Sequence, residues 1–266
     1  MSKVLQLKTP ITYYGGKQKL VSTILPLIPQ HELYAEPFIG GGAIFWAKEP
    51  SPVEVINDTN RELINFYEIC KNEFVDLEKK IRISLHSRSL HADAKVINDN
   101  PHMFSRIDRA WAVWVLASQS FSSKLDGHFG YDRAKGTTSK KIRNKREDFT
   151  EEFSIRLQNV QIENTDAVRI IKSRDTKDSF FYCDPPYFNS NCGHYDGYTV
   201  DDFENLLKTL SQIEGKFLLS SYPSPILKEF KQRLGWFQTT KEQRISVNKG
   251  SGKQKTEVLT ANYQIK

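Results

Sequence analysis

From Leu5 to Ile64 short apolar runs alternate with glycine-rich turns, the pattern of strands feeding helices. It predicts a strand over Glu32–Phe38, a tight turn at Gly40–Gly42 and a helix starting over Ala43–Lys48. Val53–Asn57 reads as a second strand, and Asn60–Cys70 as a helix with Leu63, Ile64 and Tyr67 on one face. Between Tyr67 and Asn159 the apolar period becomes helical. Phe74, Leu77 and Ile81 share a spacing, and Trp111, Trp114 and Val115 in Ala110–Ser118 are placed as core. From Val160 the alternation returns: strand Val160–Glu163, a short helix after Asp166, strand Phe180–Cys183, helix Asp201–Gln212, strand Lys216–Ser220 and helix Pro225–Leu234. Two last strands, Thr239–Val247 and Glu257–Gln264, are joined by the polar turn Asn248–Lys255. Strands alternating with helices predict an α/β fold with a mostly parallel sheet, and the closing pair predicts an antiparallel edge hairpin. The helical middle reads as an insertion: a domain of residues 1–66 and 159–266 around a mainly helical domain of residues 67–158.

Composition narrows the classes. With 38% hydrophobic residues and 31 aromatic ones in 266 residues, the chain has material for a full core, which excludes disordered and collagen-like classes. Apolar runs such as Phe217–Leu219 fall far short of the ~20 residues of a membrane span. Met1–Pro10 lacks the apolar stretch of a secretory signal. Three scattered cysteines (Cys70, Cys183, Cys192) make no disulfide framework, so a reducing cytoplasm is expected.

The net charge is +6, and its distribution matters more than its size. Arg133–Arg146 holds seven cations (Arg133, Lys135, Lys140, Lys141, Arg143, Lys145, Arg146) and no acid. Such a block reads as a mobile segment that condenses on phosphates, or as a solvated surface loop.

Two sites carry chemistry. In the first, Tyr34-Ala-Glu36-Pro-Phe38-Ile-Gly40-Gly-Gly42 runs a strand into three glycines and a helix, and Asp58 follows 18 residues past Gly40. Bare backbone at a helix start admits a ligand, and an acid about 20 residues on suits ribose hydroxyls. The glycine spacing is not that of a dinucleotide fingerprint, so an adenosine-type ligand without pyrophosphate fits better. The other reading is a close-packed turn whose aspartate caps a helix. In the second, an apolar strand ends in Asp184-Pro185-Pro186-Tyr187. Two prolines stiffen the turn and remove two backbone donors, Asp184 adds an acceptor-only carboxylate and Tyr187 a flat face. That set is suited to an amino group on a ring. Cys192-Gly-His194 is half a metal site with no second ligand pair at a useful spacing, so no metal is expected. The other histidines show no serine or cysteine partner pattern, which leaves a hydrolase triad unsupported.

Tyr13-Tyr-Gly-Gly-Lys17, Glu36-Pro-Phe-Ile-Gly-Gly-Gly42, Asn57-Asp58 and Asp184-Pro-Pro-Tyr187 occur in the order used by the Dam-like DNA adenine-N6 methyltransferases, and the chain resembles that family over Leu7–Tyr67 and Val160–Tyr263. The resemblance implies a Rossmann-like methyltransferase sheet with an inserted target-recognition domain, and S-adenosylmethionine as methyl donor. It makes Tyr13, Lys17, Glu36, Phe38, Gly40, Gly42, Asp58, Asp166 and Asp184 donor contacts, and Asp184, Pro185, Pro186 and Tyr187 the catalytic loop. It also implies double-stranded DNA as partner, gripped by Lys124 and the seven cations of Arg133–Arg146. A cognate restriction endonuclease and a monomeric or weakly dimeric state are compatible with it. The middle departs from the best-known members, which carry an Arg-containing loop and an Asn-rich hairpin before a Pro-Phe-Gly turn. Here Ser120–Gly130 has Lys124 and no proline. Adenine as target carries over, and a particular recognition sequence does not; base reading falls to side chains near Phe121–Tyr131, with Lys124 and His128 as candidates. Lys249, Lys253 and Lys255 form a second candidate backbone contact.

The implied chemistry is a displacement in which Asp184 and the Pro185 carbonyl accept the two N–H bonds of an adenine amine flipped out of the duplex. A methyltransferase for RNA or a protein amide, and a catalytically inactive DNA-binding homologue, are the readings left beside it.

Overall fold

The computed structural model describes residues 7–188, 197–244 and 254–265. In chain order the elements are α1 (Val21–Ile24), β1 (Leu33–Glu36), α2 (Ala43–Ala47), β2 (Val53–Asn57), α3 (Arg61–Asn72), α4 (Phe74–Arg82), α5 (Arg88–Asp99), α6 (Arg106–Gln119), α7 (Thr137–Glu147), α8 (Glu152–Leu157) and β3 (Val160–Glu163). They continue as α9 (Ala167–Arg174), β4 (Ser179–Cys183), α10 (Val200–Leu210), β5 (Lys216–Ser221), α11 (Pro225–Leu234), β6 (Phe237–Arg244) and β7 (Gln254–Ala261). No helix among the described residues is long and apolar enough to cross a membrane.

The sheet has seven strands in the order β3-β2-β1-β4-β5-β7-β6. β1 runs parallel to β2 and to β4, β4 parallel to β5, and β7 antiparallel to both β5 and β6. This is a Rossmann-like, mostly parallel sheet with an antiparallel edge hairpin, as expected. The strand order reverses between β1 and β4, where α/β sheets of this kind take ligands beyond the carboxyl ends of the strands.

Two compact units divide the chain. One holds the described residues up to Leu25, Ile39–Pro50 and Asp58–Asn164. The other holds Pro26–Phe38, Ser51–Asn57 and the described residues from Thr165 onward. In the second unit β4 is buried along its whole length, as a strand covered on both faces must be. Phe181, Cys183, Phe217 and Leu219 pack there with Phe203, Leu206, Leu207 and Leu210 of α10 and with Leu227 and Phe230 of α11. Both helices start at strong signals. Thr199 and Asp202 form a reciprocal capping box, and Ser224 caps α11 ahead of Pro225. In the first unit, Trp46, Phe66, Tyr67, Trp114 and Phe149 are fully enclosed, with Phe74 stacked on Phe149. A bidentate pair from Arg109 to Glu62, at 2.6 and 2.8 Å, ties α6 to α3.

Three expectations are corrected. Thr137–Glu147 of the basic block is a helix and not a mobile loop, because Asp132 accepts from the Thr138 backbone and from the Thr137 hydroxyl and so starts α7. Trp111 is half-buried rather than core: its indole N–H reaches the Ser84 hydroxyl at 2.8 Å. Lys255, expected in the closing turn, lies in β7 and pairs with Gln243. Lys249, Lys253 and the Cys192–His194 pair lie outside the described residues.

Candidate active site

The glycine turn lies in the first unit. Gly40 and Gly42 have φ of +46° and +67°, the left-handed region where a side chain is strained. Space is also short, since a Cβ on Gly41 would stand 3.0 Å from the Tyr13 Cβ, and one on Gly40 3.2 Å from the Tyr13 ring. The Tyr13 ring thus lies flush against bare backbone. Asp58 holds the turn from the other end: Oδ2 accepts from Gly40 N at 3.0 Å and Oδ1 from Asn60 N at 2.9 Å. Tyr67 donates to the Gly40 carbonyl at 2.6 Å. The helix-cap reading of Asp58 fails, because Asn60 caps α3 through the Glu62 and Leu63 amides. Burial pushes the Asp58 carboxyl above the usual carboxylate range, although three backbone N–H groups pull it down. The Tyr13 phenol is raised too, first by burial and then by the Asp58 charge. Lys17 is buried and donates to the Gly15 carbonyl at 3.2 Å.

The Asp184–Tyr187 turn lies in the second unit, at the carboxyl end of β4. Tyr187 is held at its ring and at its hydroxyl. The ring packs on Tyr222 with centroids 4.2 Å apart. The hydroxyl lies 3.1 Å from Asp184 Oδ1 and within hydrogen-bond distance of Glu257 Oε1, which also accepts from the Ser220 hydroxyl. Burial, then the charges of Asp184 and Glu257, hold the Tyr187 phenol well above its ordinary value, so it stays protonated and a donor. Glu36, at the end of β1, is buried and accepts from the Tyr34 hydroxyl. Phe38 meets Tyr198 edge-on at 6.3 Å. Asn57 links the loops that follow β1 and precede α9, donating to the Pro37 and Thr165 carbonyls at 2.9 and 3.0 Å. Asp166 is exposed and caps α9 through the Arg169 amide.

The first unit therefore brings Tyr13, Gly40 and Asp58 together, and the second brings Asp184 and Tyr187 together. Within the second unit Glu36 joins Asp184 in raising the Tyr182 phenol and the Cys183 thiol after burial, while Phe38 and Asp166 both bear on Tyr198. Sequence reasoning missed Asn60 and Tyr67 in the first cluster and Ser220, Tyr222 and Glu257 in the second. Ser220 carried one signal, a polar residue near the end of an apolar strand. Glu257 carried none.

Among the DNA-contact candidates, Arg133, Lys135, Lys140, Lys141 and Arg143 are exposed. Arg146 is half-buried and donates to the Arg82 carbonyl at 3.3 Å. Lys145 is half-buried as well; burial, then the Lys141 charge, bring it down to about 8. Lys124 stands over the Tyr14 ring at 5.1 Å, within cation–π range. The histidine expectation is corrected. His31 meets Ser51 at 2.8 Å, His86 meets Ser139 at 3.0 Å and His91 meets Ser120 at 2.9 Å. In the first two the other ring nitrogen faces a backbone carbonyl, of Pro29 and of Gly130, where a triad needs a carboxylate. No group of three or more His, Cys, Asp or Glu placed to hold a metal occurs among the described residues.

A family model described as D12 class N6 adenine-specific DNA methyltransferase matches residues 13–249. The Type II methyltransferase M1.LlaDCHI of Lactococcus lactis subsp. cremoris is 28% identical, over 94% of this chain and 93% of its own length. A DNA adenine methylase of Vibrio cholerae serotype O1 is 25% identical, over 95% of each chain. Modification methylase StsI of Streptococcus sanguinis is 24% identical, over 72% of this chain and 30% of its own length.

Proposed function

Since this chain belongs to the D12 class N6 adenine-specific DNA methyltransferases, we propose that it moves a methyl group from S-adenosylmethionine to N6 of a flipped adenine in duplex DNA by direct displacement. The observation that carries the reading is the stiff, donor-poor Asp184–Pro186 turn at the tip of the buried β4 strand, with the Tyr187 ring fixed beside it.

The first cluster fits the donor. The bare glycine backbone lets the Tyr13 ring lie flush against the turn beside the buried Asp58 carboxylate, and in this reading the ring borders an adenosine-type ligand whose ribose hydroxyls fall to Asp58. Tyr13, Lys17, Gly40, Gly42 and Asp58, with Glu36, Phe38 and Asp166, are the residues assigned to hold it. Bound there, S-adenosylmethionine supplies a methyl group made electrophilic by its sulfonium.

The remaining work falls to the protein. The adenine amine is a weak nucleophile because its lone pair is delocalised into the ring. Asp184 and the Pro185 carbonyl accept hydrogen bonds from its two N–H groups, which favours a pyramidal nitrogen and stabilises the positive charge growing on it. As the methyl–nitrogen bond forms the methyl–sulfur bond breaks, S-adenosylhomocysteine is the leaving group, and the surplus N6 proton passes to solvent. Tyr187 stacks on the base and offsets part of the few kcal/mol that unstacking costs. Residues 67–158 form the target-recognition insertion in this reading, with Arg133, Lys140, Lys141, Arg143, Lys145 and Arg146 on phosphates and Lys124 toward base edges. A cognate restriction endonuclease as genetic partner belongs to the same proposal.

Asp184→Ala tests the assignment. Tritiated methyl transfer to DNA is expected to vanish while DNA affinity in a filter-binding assay is kept. Transfer at the wild-type rate would remove Asp184 from the chemistry. Sequencing modified bases in DNA from cells expressing the chain gives the methylated base and its context together.

A further inference from the structure

A phenol has one proton, and Tyr187 has two carboxylates to give it to. Asp184 Oδ1 lies 3.1 Å from the hydroxyl oxygen, and Glu257 Oε1 is the nearer acceptor. Glu257 sits on β7, at 6% exposure, and also accepts from the Ser220 hydroxyl, whose oxygen is 3.5 Å from the phenol. A buried carboxylate fed by two hydroxyl donors is a strong acceptor for both. While Glu257 takes the phenol proton, Asp184 Oδ1 does not. Were Glu257 neutral, the same proton could turn to Asp184, occupy one of its lone pairs and weaken it as an acceptor for anything else.

We propose that Glu257 is a positioning residue that keeps the Tyr187 hydroxyl proton off Asp184, so that the Asp184 carboxylate meets the incoming amine at full acceptor strength. Glu257 touches neither amine nor methyl donor; it acts through Tyr187. The inference rests on the methyl-transfer reading above and adds a residue seventy positions downstream of the phenol it controls.

The test is single-turnover methyl transfer by the full chain with saturating DNA and S-adenosylmethionine. A wild type that methylates no DNA overturns the functional reading and this proposal together. With an active wild type, the outcomes bear on Glu257 alone. E257Q, nearly isosteric, is expected to slow transfer about tenfold or more, the worth of a hydrogen bond to a charged group, with dissociation constants for DNA and donor unchanged. Adding Y187F to E257Q is expected to recover part of that rate, because no phenol proton remains to occupy Asp184. A structural defect would not be relieved by a second lesion. E257Q at the wild-type rate, or a double variant no faster than E257Q, overturns the proposal. A second measurement is independent of how well E257Q folds. The Tyr187 hydroxyl proton resonance, identified by its loss in Y187F, is expected to stay at the low field of a hydrogen bond to a carboxylate in D184N, since its partner is Glu257. A resonance that D184N returns to the ordinary phenol range assigns the proton to Asp184 and overturns the proposal.

Discussion

Tyr13 occupies the space that side chains at residues 40 and 41 would need, so the glycine turn and the tyrosine are one packing solution. Gly40→Ala meets two penalties, the left-handed φ and a Cβ 3.2 Å from the ring. A stability loss of about 1–2 kcal/mol in urea unfolding is expected, together with weaker donor binding by calorimetry. Asp58 adds a pH signature. Its folded value is raised above the ordinary 3.8, so the stability it contributes is full below that pH and is lost as pH rises through the raised value. Asp58→Asn removes a titrating group, and unfolding free energies measured between about pH 4 and 7 should fall less steeply with pH than in the wild type.

At the scale of elements, what the sequence reveals depends on whether an element's ends and faces are marked locally. α11 was legible to the residue because Ser224-Pro225 opens it and Gly235, with φ of +65°, closes it. β2 and β3 were legible for a similar reason, each a short stretch of β-branched residues spaced by polar ones between polar turns. α7 was not, since Ile142 is its one buried side chain and a helix without an apolar stripe has no periodicity to read. The Asp184–Tyr187 turn was visible as four consecutive residues. That its tyrosine meets Ser220 and Glu257 was not legible, because those partners arrive from 33 and 70 residues away, through strand pairing. The helical form of α7 gives its cations fixed spacing, and Lys140, Lys141 and Arg143 stand exposed on it. Replacing the three with glutamine is expected to lower the slope of log affinity against log salt by roughly 2–3, at about 0.9 per lost phosphate contact. An unchanged slope in fluorescence anisotropy would take α7 out of the DNA interface.

For the whole molecule, one detail of topology ties the fold to the proposed role of Glu257. β7 is last in the described chain yet sits between β5 and β6, and it carries Glu257. A product terminated before Gln254 would lack that carboxylate and would leave β5, with its buried Phe217–Leu219 run, as an unpaired edge. Bare apolar edges pair with other chains. Such a fragment should appear in the pellet after lysis, whereas the intact chain stays in the supernatant. Nonsense alleles late in the coding sequence would then behave as simple nulls: the shortened polypeptide would be cleared as aggregate before it could crowd the intact enzyme off the genome.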